Sequence, residues 1–282
     1  EDANAVATIL KKYRFVVDWL VVDHYALDQR WENQLRPLVR KIMVIDDLEN
    51  RNHDCDLLLD QNFSTRARRY DRLIPKHCIT LLGPNYALLR EEFSKARQRL
   101  RSRTGKINRI LISFGGSDST NETVKILKGV CLCNHSALEI QVVIGLQNPH
   151  EKSIKKQADR MSNVTCHRHT NRMAELMEWA DLFIGAGGTI TWERCCLGLP
   201  SLVVATAENQ EKIIHEMALE GFILYVGKSS DVKASAIADH LKCLSINPYL
   251  IQALSKKSVT VSDGQGVFKI AQRLQCLTRT HT

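Results

Sequence analysis

Asp181-Leu-Phe-Ile-Gly-Ala-Gly-Gly-Thr-Ile-Thr-Trp-Glu193 runs on through Cys-Cys-Leu-Gly-Leu-Pro-Ser201 and Leu-Val-Val-Ala-Thr-Ala-Glu-Asn209-Gln. The stretch reads as strand, glycine turn, helix, Gly-Leu-Pro turn, strand. The apolar run Leu182–Ile184 is too short for a helix and is bounded by glycine. Gly185, Gly187 and Gly188 allow close approach of the backbone to a ligand, and Thr189 opens the helix. Free N–H groups and the positive end of the helix dipole meet there, which suits an anion and phosphate above all. Glu193 lies one turn further in, within reach of the sugar hydroxyls of a nucleotide whose phosphates sit on the helix end. Thr189 and Thr191 add a pair of hydroxyls. An ordinary βα turn that binds nothing carries the same glycines.

Working outward, 282 residues suggest two domains. Hydrophobic residues at 44% suffice for sizeable cores, and charged residues at 25% argue against a disordered chain. No apolar run approaches the length of a membrane span, no signal peptide is evident, and a cytoplasmic protein is expected. The net charge is +8, with basic clusters at Arg66–Arg72 and Arg97–Arg103. No continuous basic stripe or interleaved aromatics accompany them, so nucleic acid is not the expected partner. A solvated face, or general attraction for an anionic small substrate, fits better. The nine cysteines are odd in number and scattered through apolar segments, as expected of reduced core thiols. Cys131-x-Cys133-x-His135 has the wrong spacing for a zinc knuckle and no second pair, so no metal is expected.

The first part alternates. Ala3–Tyr13 has helical spacing, Phe15–Val22 reads as a strand buried on both faces, and Ile42–Ile45, Leu57–Leu59 and Ile79–Leu82 read as further strands. Tyr86–Arg97 looks helical, and the polar run Arg99–Lys106 is the linker candidate. Domains are thus expected over residues 1–100 and 107–282. The second series has about six strands separated by helices, which predicts parallel, doubly wound sheets with ligands at the strand C-termini.

Phe114-Gly115-Gly116-Ser117-Asp118 is a second glycine turn after a strand, placed to offer backbone N–H groups to a diphosphate. Asp23-His24-Tyr25 ends the first strand and offers groups for substrate contact or acid–base work, or for capping a neighbouring element. Ile45-Asp46-Asp47 and Asp60-Gln61-Asn62 end the next two, where a cap is the simpler role. Asn209 serves either as an N-cap or as an amide projecting to a ligand. The first glycine turn does not match the dinucleotide fingerprint, so no nicotinamide cofactor is expected.

These residues together resemble one family, the bacterial UDP-2,4-diacetamido-2,4,6-trideoxy-β-L-altropyranose hydrolases of pseudaminic acid synthesis. The resemblance covers nearly the whole chain. It rests on Trp19-Leu-Val-Val-Asp-His-Tyr25, Ile45-Asp-Asp47, Asp60-Gln-Asn62, Gly83-Pro-Asn-Tyr-Ala-Leu-Leu-Arg-Glu-Glu-Phe93, Ile112-Ser-Phe-Gly-Gly-Ser-Asp118 and Gly185 to Gln210. A more distant likeness links Gly-Gly-Thr, Glu193 and Gly-Leu-Pro200 to the transferase that adds N-acetylglucosamine to the peptidoglycan lipid precursor. The resemblance implies two Rossmann-like domains of the glycosyltransferase-B type. It also implies metal-independent, cofactor-free hydrolysis of a UDP-sugar for surface or flagellin glycosylation, with neighbouring pathway enzymes as the associated proteins. By position, Gly188 and Thr189 would hold the diphosphate and Glu193 the ribose, while Gly115, Gly116, Ser117 and Gly187 of the glycine turns are the further substrate-binding candidates read from the residues themselves. Thr170 and Met173 would line the uracil pocket, and Tyr25 and Asn209 would face the sugar and the attacking water. Family members begin with a strand and a glycine-rich turn bearing a histidine, the proposed base. The present sequence has no match to that segment, and His24 does not occupy its position. The expectation is therefore an incomplete N-terminal sheet in a fragment that binds UDP but is nearly inactive as a hydrolase of the UDP-sugar. A transferase of the same fold and a UDP-sugar-binding remnant are the alternatives.

Overall fold

The structure, a computed structural model, describes residues 2–13, 16–133 and 137–279. The chain forms two compact units, residues 1–88 with 266–282, and residues 89–265. This division differs from the sequence reading at both ends. The break falls after Leu88, and the last helix belongs with the first unit.

In the first unit, α1 (Asp2–Tyr13) and β1 (Val17–Val22) are followed by α2 (Gln29–Leu35), β2 (Val39–Ile45), β3 (Leu57–Asp60) and β4 (Ile79–Leu82). The four strands are parallel, in the order β1-β2-β3-β4. Alternation along them builds two apolar faces, as the strand period of two dictates. Ile42, Val44 and Leu58 point to one face with Cys55 and Tyr70. Met43, Leu57 and Leu59 point to the other, which is closed by Ile270, Leu274 and Leu277. Those three residues lie on the helix Gly266–Arg279, named α11 below. β1 is not buried on both faces as expected. It is the edge strand, and Val21 is 51% exposed. Phe15, the expected strand start, lies outside the described residues.

The second unit opens with α3 (Glu91–Arg97), shorter than the helix expected over 86–97 because Tyr86 ends a 3-10 turn and the backbone at Ala87 and Arg90 is extended. It continues with β5 (Arg109–Ser113), α4 (Glu122–Leu132), β6 (Glu139–Ile144), α5 (Glu151–Ala158), β7 (Val164–Arg168) and α6 (Met173–Trp179). Then follow β8 (Leu182–Ala186), α7 (Ile190–Cys196), β9 (Ser201–Ala205), α8 (Glu208–Leu219), β10 (Leu224–Lys228), α9 (Ala234–Ser245) and α10 (Pro248–Ser258). Its six strands are parallel in the order β10-β9-β8-β5-β6-β7. The order reverses between β5 and β8, and an open doubly wound sheet offers its ligand crevice at that switch point. β5 and β8 each end in one of the two glycine turns.

The segment Arg99–Lys106 is not a linker. Its arginines are drawn onto the second unit by carbonyls left free at helix ends. Arg103 donates to Gly198 O (3.0 Å), Met177 O (3.2 Å) and Ala180 O, and burial pushes its guanidinium down to about 10. Arg101 pairs with Asp181 at 2.9 Å, and Arg97 donates to the carbonyls of Cys196, Val259 and Ser262. In the other basic cluster, Arg66 pairs with Glu49 and Arg68 with Asp71, while the Arg69 side chain is only 2% exposed. Each cluster is therefore only partly a solvated face: the Arg69 side chain and Arg103 are buried on carboxylates or carbonyls, while Arg66, Arg68, Arg72 and Arg99 stay exposed. All nine cysteines are free, and Cys131, Cys243 and Cys276 are exposed rather than in the core. Among the described residues no helix is long and apolar enough to cross a membrane.

Candidate functional site

An open cleft of about 430 Å³ lies at the switch point of the second unit. Gly115, Gly116, Thr170, Met173 and Glu193, all singled out from the sequence, line it. The turn after β5 is shaped by Gly115, whose φ of +76° favours glycine, and by Asp118. The Asp118 carboxylate accepts from the N–H groups of Glu122 (2.8 Å) and Thr123 (3.1 Å) and so caps α4. Gly115 and Gly116 have nothing within 4 Å of where a Cβ would stand, so a ligand can approach both. Ser117 is exposed on the same turn but is not among the cleft-lining residues.

The glycines after β8 divide by what faces them. A Cβ at Gly185 would meet the Ser113 carbonyl of the paired strand, and one at Gly187 would meet the Ile214 side chain. Their smallness serves sheet and helix packing, contrary to the expectation of ligand approach. Gly188 is open, with only Gln210 Nε2 nearby, at 4.0 Å. Thr189 is the N-cap of α7, is exposed, and makes no side-chain cap. Thr191 does not join it at the helix end. It is buried, and its hydroxyl accepts from Arg194 at 2.8 Å.

Glu193 is mostly buried, its side chain 19% exposed, and faces Arg90 across 3.5 Å. Burial pushes its carboxyl above the usual range, and Arg90 opposes that shift only in part. Across the cleft, the Thr170 hydroxyl accepts from Arg172 N at 3.0 Å, which holds the turn before α6, and Met173 is buried at the first position of that helix. His169, also cleft-lining, sits at a φ of +53°.

Tyr25 belongs to the first unit, at the end of β1, and is 61% exposed. Partial burial and the neighbouring Asp47 carboxylate raise its hydroxyl pKa, so it is a donor at neutral pH and no base. His24 takes the capping role, its Nδ1 accepting from Ala26 N at 3.0 Å. Asp46 also caps, accepting from Glu49 N at 3.3 Å, and is bound further into the interior by Tyr70 and Arg51. Asn209 lies in the first turn of α8, and its side chain is outside the described residues. Among the described residues no group of three or more histidine, cysteine or acidic side chains is placed to hold a metal, and His135 lies outside them.

Three residues escape sequence reasoning. Arg90 enters the cleft from the start of α3, more than a hundred positions from Glu193. Gly145 follows β6 and packs under the carbonyls of Gly115 and Gly116. Gln210, not the adjacent Asn209, stands by Gly188, its Oε1 accepting from the Thr206 backbone and hydroxyl. A glycine directly after an apolar run is the only signal that points to Gly145 in advance.

Residues 110–221 match the model of the glycosyltransferase family 28 C-terminal domain. The spore coat polysaccharide biosynthesis protein SpsG of Bacillus subtilis is 28% identical over 69% of this chain and 58% of its own length. The UDP-2,4-diacetamido-2,4,6-trideoxy-β-L-altropyranose hydrolase of Campylobacter jejuni is 26% identical over 79% of this chain and 78% of its own. Among solved structures, the UDP-GlcNAc 2-epimerase of Neisseria meningitidis bound to UDP-GlcNAc superposes with a TM-score of 0.66 at 12% identity, covering 97% of this chain and 80% of that one. MurG of Acinetobacter baumannii superposes at 0.62 and 13% identity, covering 96% and 77%. The fold is thus of the glycosyltransferase-B type, two α/β units with parallel sheets.

Proposed function

We propose that the protein binds a UDP-sugar in the cleft of its second unit and hydrolyses it to UDP and the free sugar, with a 2,4-diacetamido-2,4,6-trideoxyhexose as the sugar and a surface glycan as its destination. The observation that carries the reading is the meeting of open glycines, Thr170, Met173 and a buried Glu193 at one switch-point cleft. Gly115, Gly116 and Gly188 leave backbone exposed to a diphosphate. Glu193 is placed to accept from ribose hydroxyls, and Met173 offers an apolar wall to a base. The similarity to the altropyranose hydrolase extends over more than three quarters of both chains and favours water as the acceptor. Tyr25 and Asn209 are assigned to the sugar end, as donors that orient that water. The family 28 match favours a second reading, transfer to an acceptor hydroxyl from the same donor. UDP release from the altrose nucleotide, measured with and without added acceptors, separates the two: release in water alone supports hydrolysis, and strict dependence on an acceptor refutes it.

The nucleotide end is tested by Glu193→Ala. UDP affinity should fall by about 1–3 kcal/mol, the loss expected for a charge-assisted hydrogen bond. Calorimetry that finds no change removes Glu193 from the site. Stability should move the other way. Because its folded pKa lies above the unfolded value, Glu193 costs the fold nothing below the ordinary carboxylate range and most above its raised pKa. Glu193→Gln should therefore melt at the same or a higher temperature near neutral pH while binding UDP less well. A lower melting temperature would contradict this account of the buried carboxyl.

A further inference from the structure

Two cysteines of the first unit meet at the entrance to its sheet, far along the strands from their C-terminal ends. Cys55 Sγ and Cys78 Sγ lie 3.4 Å apart, and both thiols are free. Cys55 stands two residues before β3 and Cys78 immediately before β4, and these strands pair with Leu57 opposite Ile79. Backbone bonds fix both approaches. Asp56 N donates to Ile42 O at 2.8 Å, Ile79 N to Asp56 O at 2.9 Å, and Cys78 N to Pro75 O at 3.0 Å. Both side chains pack on the apolar face that holds Ile42, Val44, Leu58 and Tyr70.

The two thiols differ in access. Cys55 is fully buried and Cys78 only partly. The contact with Cys78, followed by burial, pushes the Cys55 thiol above its usual range, and the Glu32 and Asp56 carboxylates add to the effect. Thiol exchange needs a thiolate and a path to the reagent. Cys78 is therefore the residue placed to meet a reagent from solvent, and Cys55 the residue placed to meet Cys78.

We propose that Cys55 and Cys78 form a reversible oxidative modification site, in which Cys78 reacts with a low-molecular-weight disulfide and Cys55 resolves the adduct. With oxidised glutathione, the Cys78 thiolate attacks one sulfur, forms a mixed disulfide and releases one glutathione, which takes up the Cys78 proton. Capping Cys78 removes the thiol–thiol contact that holds the Cys55 proton. Cys55 then attacks the Cys78 sulfur, closes the protein disulfide and releases the second glutathione, which takes up that proton. Two cysteine thiols are oxidised, and one glutathione disulfide is reduced by the same two electrons. The closed loop, residues 55–78, contains β3 and the ion pair of Arg69 with Asp60. Linking its ends restricts the unfolded chain and braces this part of the sheet.

The test treats the folded 282-residue chain with oxidised glutathione, then alkylates it in denaturant and maps its peptides by mass without reduction. A Cys55–Cys78 cross-linked peptide should appear, both residues should escape alkylation, and excess dithiothreitol should restore them. The exposed Cys131, Cys243 and Cys276 report that the reagent acted. Cys55→Ala should trap glutathione on Cys78 as a lasting adduct, whereas Cys78→Ala should leave the buried Cys55 unmodified. Circular dichroism checks that both variants fold, and the wild-type map decides alone if either does not. The oxidised wild type should melt about 5–15 °C higher than the reduced protein. A wild type in which Cys78 keeps glutathione while Cys55 remains open to alkylation overturns the proposal. So does a Cys78 that does not react, or a cross-link from either residue to a different cysteine. A cross-linked protein that melts no higher overturns the bracing role.

Discussion

Replacing Arg69 with methionine is expected to destabilise the protein by about 3–5 kcal/mol at neutral pH, the usual result of stripping one partner from a buried ion pair. Arg69 lies 2.8 Å from Asp60 and 3.2 Å from Glu49, and the Arg69 and Asp60 side chains are both 2% exposed. The Tyr70 hydroxyl lies 3.0 Å from an Asp46 oxygen and 3.2 Å from one of Asp60, bringing a second buried carboxylate into the same network. Burial already outweighs Arg69 and raises the Asp60 carboxyl above its usual range. Without the guanidinium that rise must grow. The penalty is then full at neutral pH and fades as pH falls toward the unfolded carboxylate range, near 4, where both states hold the proton. Denaturant unfolding at pH 7 and near pH 4.5 reads the difference. Asp60→Asn placed on top of Arg69→Met should restore part of the loss. A deficit under about 1 kcal/mol, or one indifferent to pH, would show that the network does not hold this unit together.

The second large effect belongs to a pair of glycines. Gly145→Ala should cost about 1–3 kcal/mol, the range for overpacking, and should weaken UDP binding as well. The added Cβ would run into the carbonyls of Gly115 and Gly116, and backbone atoms cannot swing aside as a side chain end does. Gly116→Ala should do the opposite on the stability axis. Nothing lies within 4 Å of its Cβ position, so the melting temperature should hold while the methyl stands where the ligand must approach. Thermal unfolding and UDP titration of both variants form a crossed test. Equal stabilities would refute the packing role of Gly145, and undiminished UDP binding by Gly116→Ala would move the diphosphate elsewhere.

The alternation of short apolar runs with helical spacing was enough to read two parallel-sheet units, because strands buried on both faces carry their signal locally. Glu193 and the glycine turns were legible for the same reason, since each sits at the end of such a run. What was hidden depends on partners remote in sequence. Gly185, Gly187 and Gly188 look alike as letters, and only the atoms facing them separate two packing glycines from an open one. The arginines of 66–72 and 97–103 look like a solvated surface, yet Arg69 and Arg103 are buried because carboxylates or free helix-end carbonyls await them. Arg90 is invisible as a cleft residue until α3 is set against α7.

The place of α11 has a consequence for the order in which the molecule is made. Its residues Ile270, Leu274 and Leu277 cover the sheet face formed by Met43, Leu57 and Leu59. Between the end of the first unit's opening stretch and the start of α11 the ribosome must add residues 89–265. At roughly 5–20 residues per second that takes on the order of ten to thirty seconds. During this interval the first-translated sheet has no lid on one side, while the second unit, continuous in sequence, can complete itself. The unit translated earlier is therefore the later one to finish folding, and it is the one whose exposed apolar face a chaperone would have to guard.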